Sequence, residues 1–132
     1  MPLNDEHETM KRTVSEILGK AGYRIEYDRP FGPTGRKYYA DLVALGPEDA
    51  YIVEVKSGIR TGSSDVMAME SFVRTAQSDP IFEGKNVKGI IVSAGTLDPA
   101  RVLSREWNIK LVEGKTIHQI KNSLCELLAK RE

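Results

Sequence analysis

The sequence predicts a mixed α/β domain, in which one central mixed sheet is flanked by helices. Two observations carry this. Apolar residues recur at helical spacing in four segments and gather into short strand-like runs in five, in the order helix, three strands, helix, strand, helix, strand, helix. The first three strands are separated only by turns and loops, so they meander. The later ones are separated by helices, so they join by crossovers, which builds a part antiparallel, part parallel sheet with helices on both faces. The chain has 132 residues, 40% of them apolar and 29% charged, an ordinary globular composition and enough for one core. No repeat, linker or low-complexity stretch divides it, so residues 1–132 read as a single domain.

Asp5 to Ala21 reads as the first helix, with Met10, Val14, Ile17 and Leu18 as its apolar stripe. Asp5 is its expected cap, with Glu8 at capping-box spacing, and Gly22 its stop. Tyr23 to Asp28 alternates like a half-buried strand, and Arg29 to Gly35, rich in Gly and Pro, reads as a loop. Arg36–Leu45 and Tyr51–Ser57 are strands joined by the turn Gly46-Pro47-Glu48-Asp49. Ser57 to Ser64 reads as a flexible loop. Asp65 to Ser78 is the second helix, with Val66, Met69, Phe72, Val73 and Ala76 inward, stopped by Asp79-Pro80. Val87–Ser93 is an apolar strand. Asp98-Pro99 caps a short helix from Ala100 to Trp107, Asn108–Glu113 is the last strand, and Thr116 with Gln119 caps a final helix lined by Ile117, Ile120, Leu124, Leu127 and Leu128. Cys125, beside that stripe, reads as a buried small apolar residue. His7 and His118, at helix starts, read as solvent-facing.

Charged residues interrupt the strand hairpin where folding alone would not place them. Glu54 and Lys56 are two apart, so they share one face while Val53 and Val55 share the other. Asp41 sits in the apolar run Tyr39 to Leu45, where the hairpin brings it beside Glu54. Two close carboxylates repel each other unless a cation lies between them. The bland alternative, a structural ion pair of Asp41 and Lys56 with Glu54, is disfavoured because buried pairs add little stability.

Asp41 followed by Glu54-Val55-Lys56, on a hairpin between two helices, resembles the PD-(D/E)xK signature of the restriction-endonuclease-like nuclease superfamily. Ala40 stands where the signature has its variable Pro. The first six elements match that family's αβββαβ core over residues 5 to 93. The resemblance implies a Mg²⁺-dependent DNA endonuclease, with Mn²⁺ as a substitute. Asp41, Glu54 and the Val55 carbonyl would hold the metal, and Lys56 would assist the attacking water. It further implies an acid from the first helix, for which Glu8 is favoured over Glu16. The compact core is most similar to archaeal Holliday-junction resolvases. Cutting two strands requires two sites, hence an expected homodimer. A noncatalytic nucleic-acid-binding or assembly module retaining the fold is the competing class, and the intact Asp41, Glu54 and Lys56 argue against it.

DNA is the expected partner although the 19 basic and 19 acidic residues cancel, because the hairpin edge is locally basic. Arg36, Lys37, Tyr38, Ser57 and Arg60 are the expected nucleic-acid contacts, with Tyr39 a further aromatic at the same edge. A single cysteine excludes an internal disulfide and a cysteine-rich zinc site, and two histidines disfavour a histidine-based one. No apolar run approaches the ~20 residues of a membrane span, and the polar start is no secretory signal. A cytoplasmic location is the expectation.

Overall fold

A computed structural model describes residues 2–31 and 38–130, with the side chains of residues 6–31 and 39–130. Helix α1 (Pro2–Lys20) leads into the strands β1 (Arg24–Phe31), β2 (Tyr38–Leu45) and β3 (Asp49–Val55). A short strand β4 (Arg60–Thr61) and helix α2 (Ser63–Ala76) follow, then a 3₁₀ turn (Pro80–Phe82) and β5 (Asn86–Ser93). The chain closes with β6 (Gly95–Thr96), α3 (Asp98–Glu106), β7 (Lys110–Glu113) and α4 (Ile117–Ala129). The main sheet has the order β1-β2-β3-β5-β7. Its first three strands are antiparallel neighbours, while β3–β5 and β5–β7 are parallel. A second, two-stranded parallel ladder joins β4 to β6.

The sheet separates two apolar cores. On one face Met10, Val14 and Leu18 of α1 and Ile120, Leu124 and Leu128 of α4 cover Leu42, Val53, Ile90 and Val92. On the other, Val66, Met69, Phe72, Val73 and Ala76 of α2, with Ala100 of α3, cover Val43, Ile52 and Ile91. The central strands are therefore apolar on both faces, which is why they read as continuous runs.

Several boundaries differ from the sequence reading. Helix α1 starts at Pro2, so Asp5 lies within it and is not its cap. It ends at Lys20, and Gly22, with a φ of +102°, turns the chain away while the Tyr23 N–H returns to the Leu18 carbonyl at 3.1 Å. Strand β1 runs through Pro30 to Phe31, which an edge strand tolerates because one side needs no donor. Strand β3 stops at Val55, although the Lys56 N–H still reaches the Val92 carbonyl at 2.8 Å. The expected flexible loop contains β4, pinned by the buried Thr61 hydroxyl donating to Ser93 Oγ at 2.7 Å. Asp98 is the first residue of α3, and Leu97 is the cap position. Cys125 is exposed, because one residue past Leu124 is about 100° around the helix from the stripe. No described helix is long and apolar enough to cross a membrane.

Candidate active site

The β2–β3 ladder runs from Leu45↔Ala50 to Leu42↔Val53 and stops. Side chains take over one step further out. The Val55 N–H donates to Asp41 Oδ2 at 2.8 Å, and the Asp41 N–H reaches Glu54 Oε1 at 3.4 Å. The β1–β2 ladder is interrupted at the same level. Tyr27↔Leu42 and Arg29↔Ala40 are partners, whereas Asp28 between them adopts φ +49°. Ala40 packs into the α2 core although Leu42 and Ala44 pack toward α1. The side-chain alternation of β2 thus breaks around Asp41, where the two strands are held by carboxylates in place of backbone bonds.

This has an electrostatic cost. Burial raises the pKa of Glu54 to about 7, helped by the neighbouring Asp41 charge and opposed by the Asp41 N–H, Lys56 and Lys11. Lys56 does not pair with Asp41 among the described contacts. Its Nζ lies 2.9 Å from Asp65 Oδ1, in the first turn of α2. The other oxygen of Asp65 accepts the Gly62 N–H at 2.8 Å. Burial alone would raise Asp65, but the Gly62 N–H and Lys56 together hold it below its ordinary value. Asp65 therefore fixes where Lys56 sits, a role not foreseen from sequence.

From α1 the residue at the site is His7. Its Nε2 is 3.0 Å from the Val55 carbonyl oxygen and 3.6 Å from Asp41 Oδ2. Glu8 and Glu16, expected to supply an acid, are both exposed. The missed signal is periodic: positions 7, 10, 14 and 18 form one stripe, so His7 continues the Met10, Val14 and Leu18 face by one turn. Lys11, on the next turn, is buried, and its Nζ donates to Asp28 Oδ1 at 2.8 Å. Burial opposes its charge, but Asp28, Asp41 and Glu8 outweigh burial and raise its pKa.

Arg36 and Lys37 lie outside the described residues, as does the side chain of Tyr38. Tyr39 is 64% exposed and, with Glu54, Lys56, Asp65 and Phe72, lines a cavity of about 210 Å³. Ser57 and Arg60 line a separate cleft, and Arg60 is exposed.

No group of three His, Cys, Asp or Glu side chains stands ready to hold a metal among the described residues. The available set is Asp41, Glu54 and the Val55 carbonyl, with His7 Nε2 on that carbonyl. Hard divalent cations such as Mg²⁺ use one or two carboxylates with the remaining ligands from substrate and water. Two mutually repelling carboxylates beside a carbonyl oxygen suit such an ion, and burial together with the Asp41 charge keeps Glu54 raised against Lys56 and Lys11.

No family model and no curated protein matches the chain by sequence. Solved structures do match in fold. A repair endonuclease from Pyrococcus abyssi superposes with a TM-score of 0.63 at 16% identity, over 83% of this chain and 46% of that one. EndoMS in complex with double-stranded DNA gives 0.56 at 15%, over 76% and 42%. Can2 from Sulfobacillus thermosulfidooxidans, in complex with cyclic tetra-adenylate, gives 0.66 at 12%, over 93% and 33%. The chain spans less than half the length of these three proteins.

Proposed function

From the restriction-endonuclease-like fold that this chain shares with PD-(D/E)xK nucleases, we propose that it is a divalent-cation-dependent deoxyribonuclease. The observation that carries the reading is the junction of Asp41 and Glu54 at the end of the β2–β3 ladder, with Lys56 held beside it by Asp65. Repair endonucleases among the structural neighbours, one of them in complex with double-stranded DNA, support DNA as the substrate.

Asp41, Glu54 and the Val55 carbonyl would hold Mg²⁺ or Mn²⁺, with His7 of α1 donating to that carbonyl. The bound ion would supply charge neutralisation at the phosphate and an activated water. The chain's own groups do the rest. Lys56 presents an ammonium, oriented by Asp65, to the negative charge that grows on the phosphate oxygens. His7 keeps the Val55 carbonyl in place at 3.0 Å. Exposed Tyr39 at the cavity mouth offers a stacking surface. Cleavage of both strands, or of a four-way junction as in the Holliday-junction resolvases, would use two copies of the chain.

The test is cleavage of labelled linear duplex, single strand, flap and four-way junction with Mg²⁺ and Mn²⁺. Wild type should cut, and Asp41→Ala and Lys56→Ala should not. Binding without cleavage under every condition would leave the noncatalytic binding module in its place.

A further inference from the structure

A cleft of about 990 Å³ opens at the carboxyl ends of the parallel strands β3, β5 and β7. It adjoins the catalytic edge on two sides. Ser57, the residue after Lys56, is part of its wall, and so are Glu6 and Met10, which bracket His7 on α1. Crevices at such strand ends are where open α/β sheets bind ligands.

Two features of this cleft have no use in the fold. Arg60 and Lys115 stand exposed on it with no ion-pair partner among the described residues. Arg101 at the same rim is by contrast neutralised by Glu113, at 3.3 and 2.9 Å. The second feature is Thr96, which lines the floor and is 6% exposed. Its hydroxyl is buried without a hydrogen-bond partner among the described residues. Two neighbouring hydroxyls are satisfied: Thr61 Oγ1 donates to Ser93 Oγ, and Ser93 Oγ donates to the Gly95 carbonyl at 2.8 Å. A buried hydroxyl left unpaired is costly, so it points to a partner from outside the chain.

The free cations call for an anion, and the volume is that of a small-ligand site, too small for a duplex. Among the described residues no aromatic side chain lines the cleft, so they offer bases nothing to stack on and suit a backbone. We propose that this cleft holds one nucleic-acid strand leading away from the scissile phosphate, with Arg60 and Lys115 on its phosphates and the Thr96 hydroxyl donating to it. The substrate class is then DNA with a single-stranded arm next to the cleavage point. This rests on the nuclease reading of the adjacent site.

The experiment is fluorescence anisotropy in EDTA with two probes, a duplex carrying a single-stranded arm and the same duplex with blunt ends. Wild type should bind the armed duplex more tightly. Thr96→Val removes the unpaired hydroxyl at nearly constant volume. It should keep or raise the melting temperature and weaken armed-duplex binding roughly tenfold, the worth of one hydrogen bond to a charged group. Thr96→Ser should retain binding. Arg60→Ala with Lys115→Ala should abolish the preference, and Asp41→Ala should retain it. Equal affinity for both probes, or equal weakening of both by the variants, overturns the proposal. Parallel cleavage assays separate the two readings. A wild type that prefers the arm but never cuts removes the nuclease and leaves the cleft. One that cuts without arm preference removes the cleft and leaves the nuclease.

Discussion

Glu54 links the site to pH. Its ordinary value is 4.5 and its folded value about 7, so between those values the folded chain holds a proton that the unfolded chain has released. Stability of the metal-free protein should therefore fall as pH rises from 4.5 to about 7, and level off above. A divalent cation bound as proposed would compete with that proton, so its affinity should rise over the same interval. Calorimetric titration with Mn²⁺ in buffers of different ionisation enthalpy reads this directly: proton release near pH 6 and almost none near pH 8. Release independent of pH would show that Glu54 does not meet the ion. The same titration distinguishes His7 from Glu8. His7→Ala should weaken Mn²⁺ binding about tenfold or more. Glu8→Ala, on the exposed side of α1, should leave it unchanged.

At the scale of elements, what was legible in the sequence is what periodicity encodes. The inward residues of α2, namely Val66, Met69, Phe72, Val73 and Ala76, all pack inward, because burial on one face writes itself as a 3.6-residue period. The hairpin carrying Asp41 and Glu54 was legible because acids in apolar strands are conspicuous. His7 was not, since the capping-box reading began the helix at Asp5 and left His7 in its first turn, where it read as solvent-facing. Asp65 was not, because its contact with Lys56 is tertiary and leaves no local spacing. Strand β4 was hidden by Gly58 and Gly62, which look like loop chemistry although Thr61 between them is buried. The junction of β7 and α4 depends on a glycine that the sequence alone does not explain. A Cβ at Gly114 would lie 2.7 Å from Gln119 Cβ and 2.8 Å from the Ile120 backbone nitrogen. Backbone cannot yield as a side-chain tip does, so Gly114→Ala should cost about 1–3 kcal/mol. Gly19→Ala, on the exposed face of α1 with nothing within 4 Å, should instead stabilise by about 0.5–1 kcal/mol. Paired melting curves of the two variants check both signs. A neutral Gly114→Ala would mean that α4 shifts freely on β7.

For the whole molecule the governing fact is zero net charge, with 19 basic and 19 acidic residues. Such a chain has no monopole to draw DNA from a distance, so the proposed binding would rest on a few local cations. Many others are already committed: Lys11 to Asp28, Lys56 to Asp65, Arg74 to Glu70 and Arg101 to Glu113. Around the site and the cleft, Arg60 and Lys115 remain for phosphates, with Arg36 and Lys37 beyond the described residues. Each neutralised phosphate contributes about −0.9 on a duplex and about −0.7 on a single strand to the slope of log affinity against log salt. Two to four contacts therefore give a slope of roughly −1.5 to −3.5, well short of that of a strongly basic binder. Anisotropy of the armed duplex across a potassium chloride series measures it. Arg60→Ala should make the slope shallower by about one while leaving affinity extrapolated to high salt nearly unchanged. A slope steeper than about −6 would require cations that this surface does not offer, and would place the contact with DNA on another face of the chain.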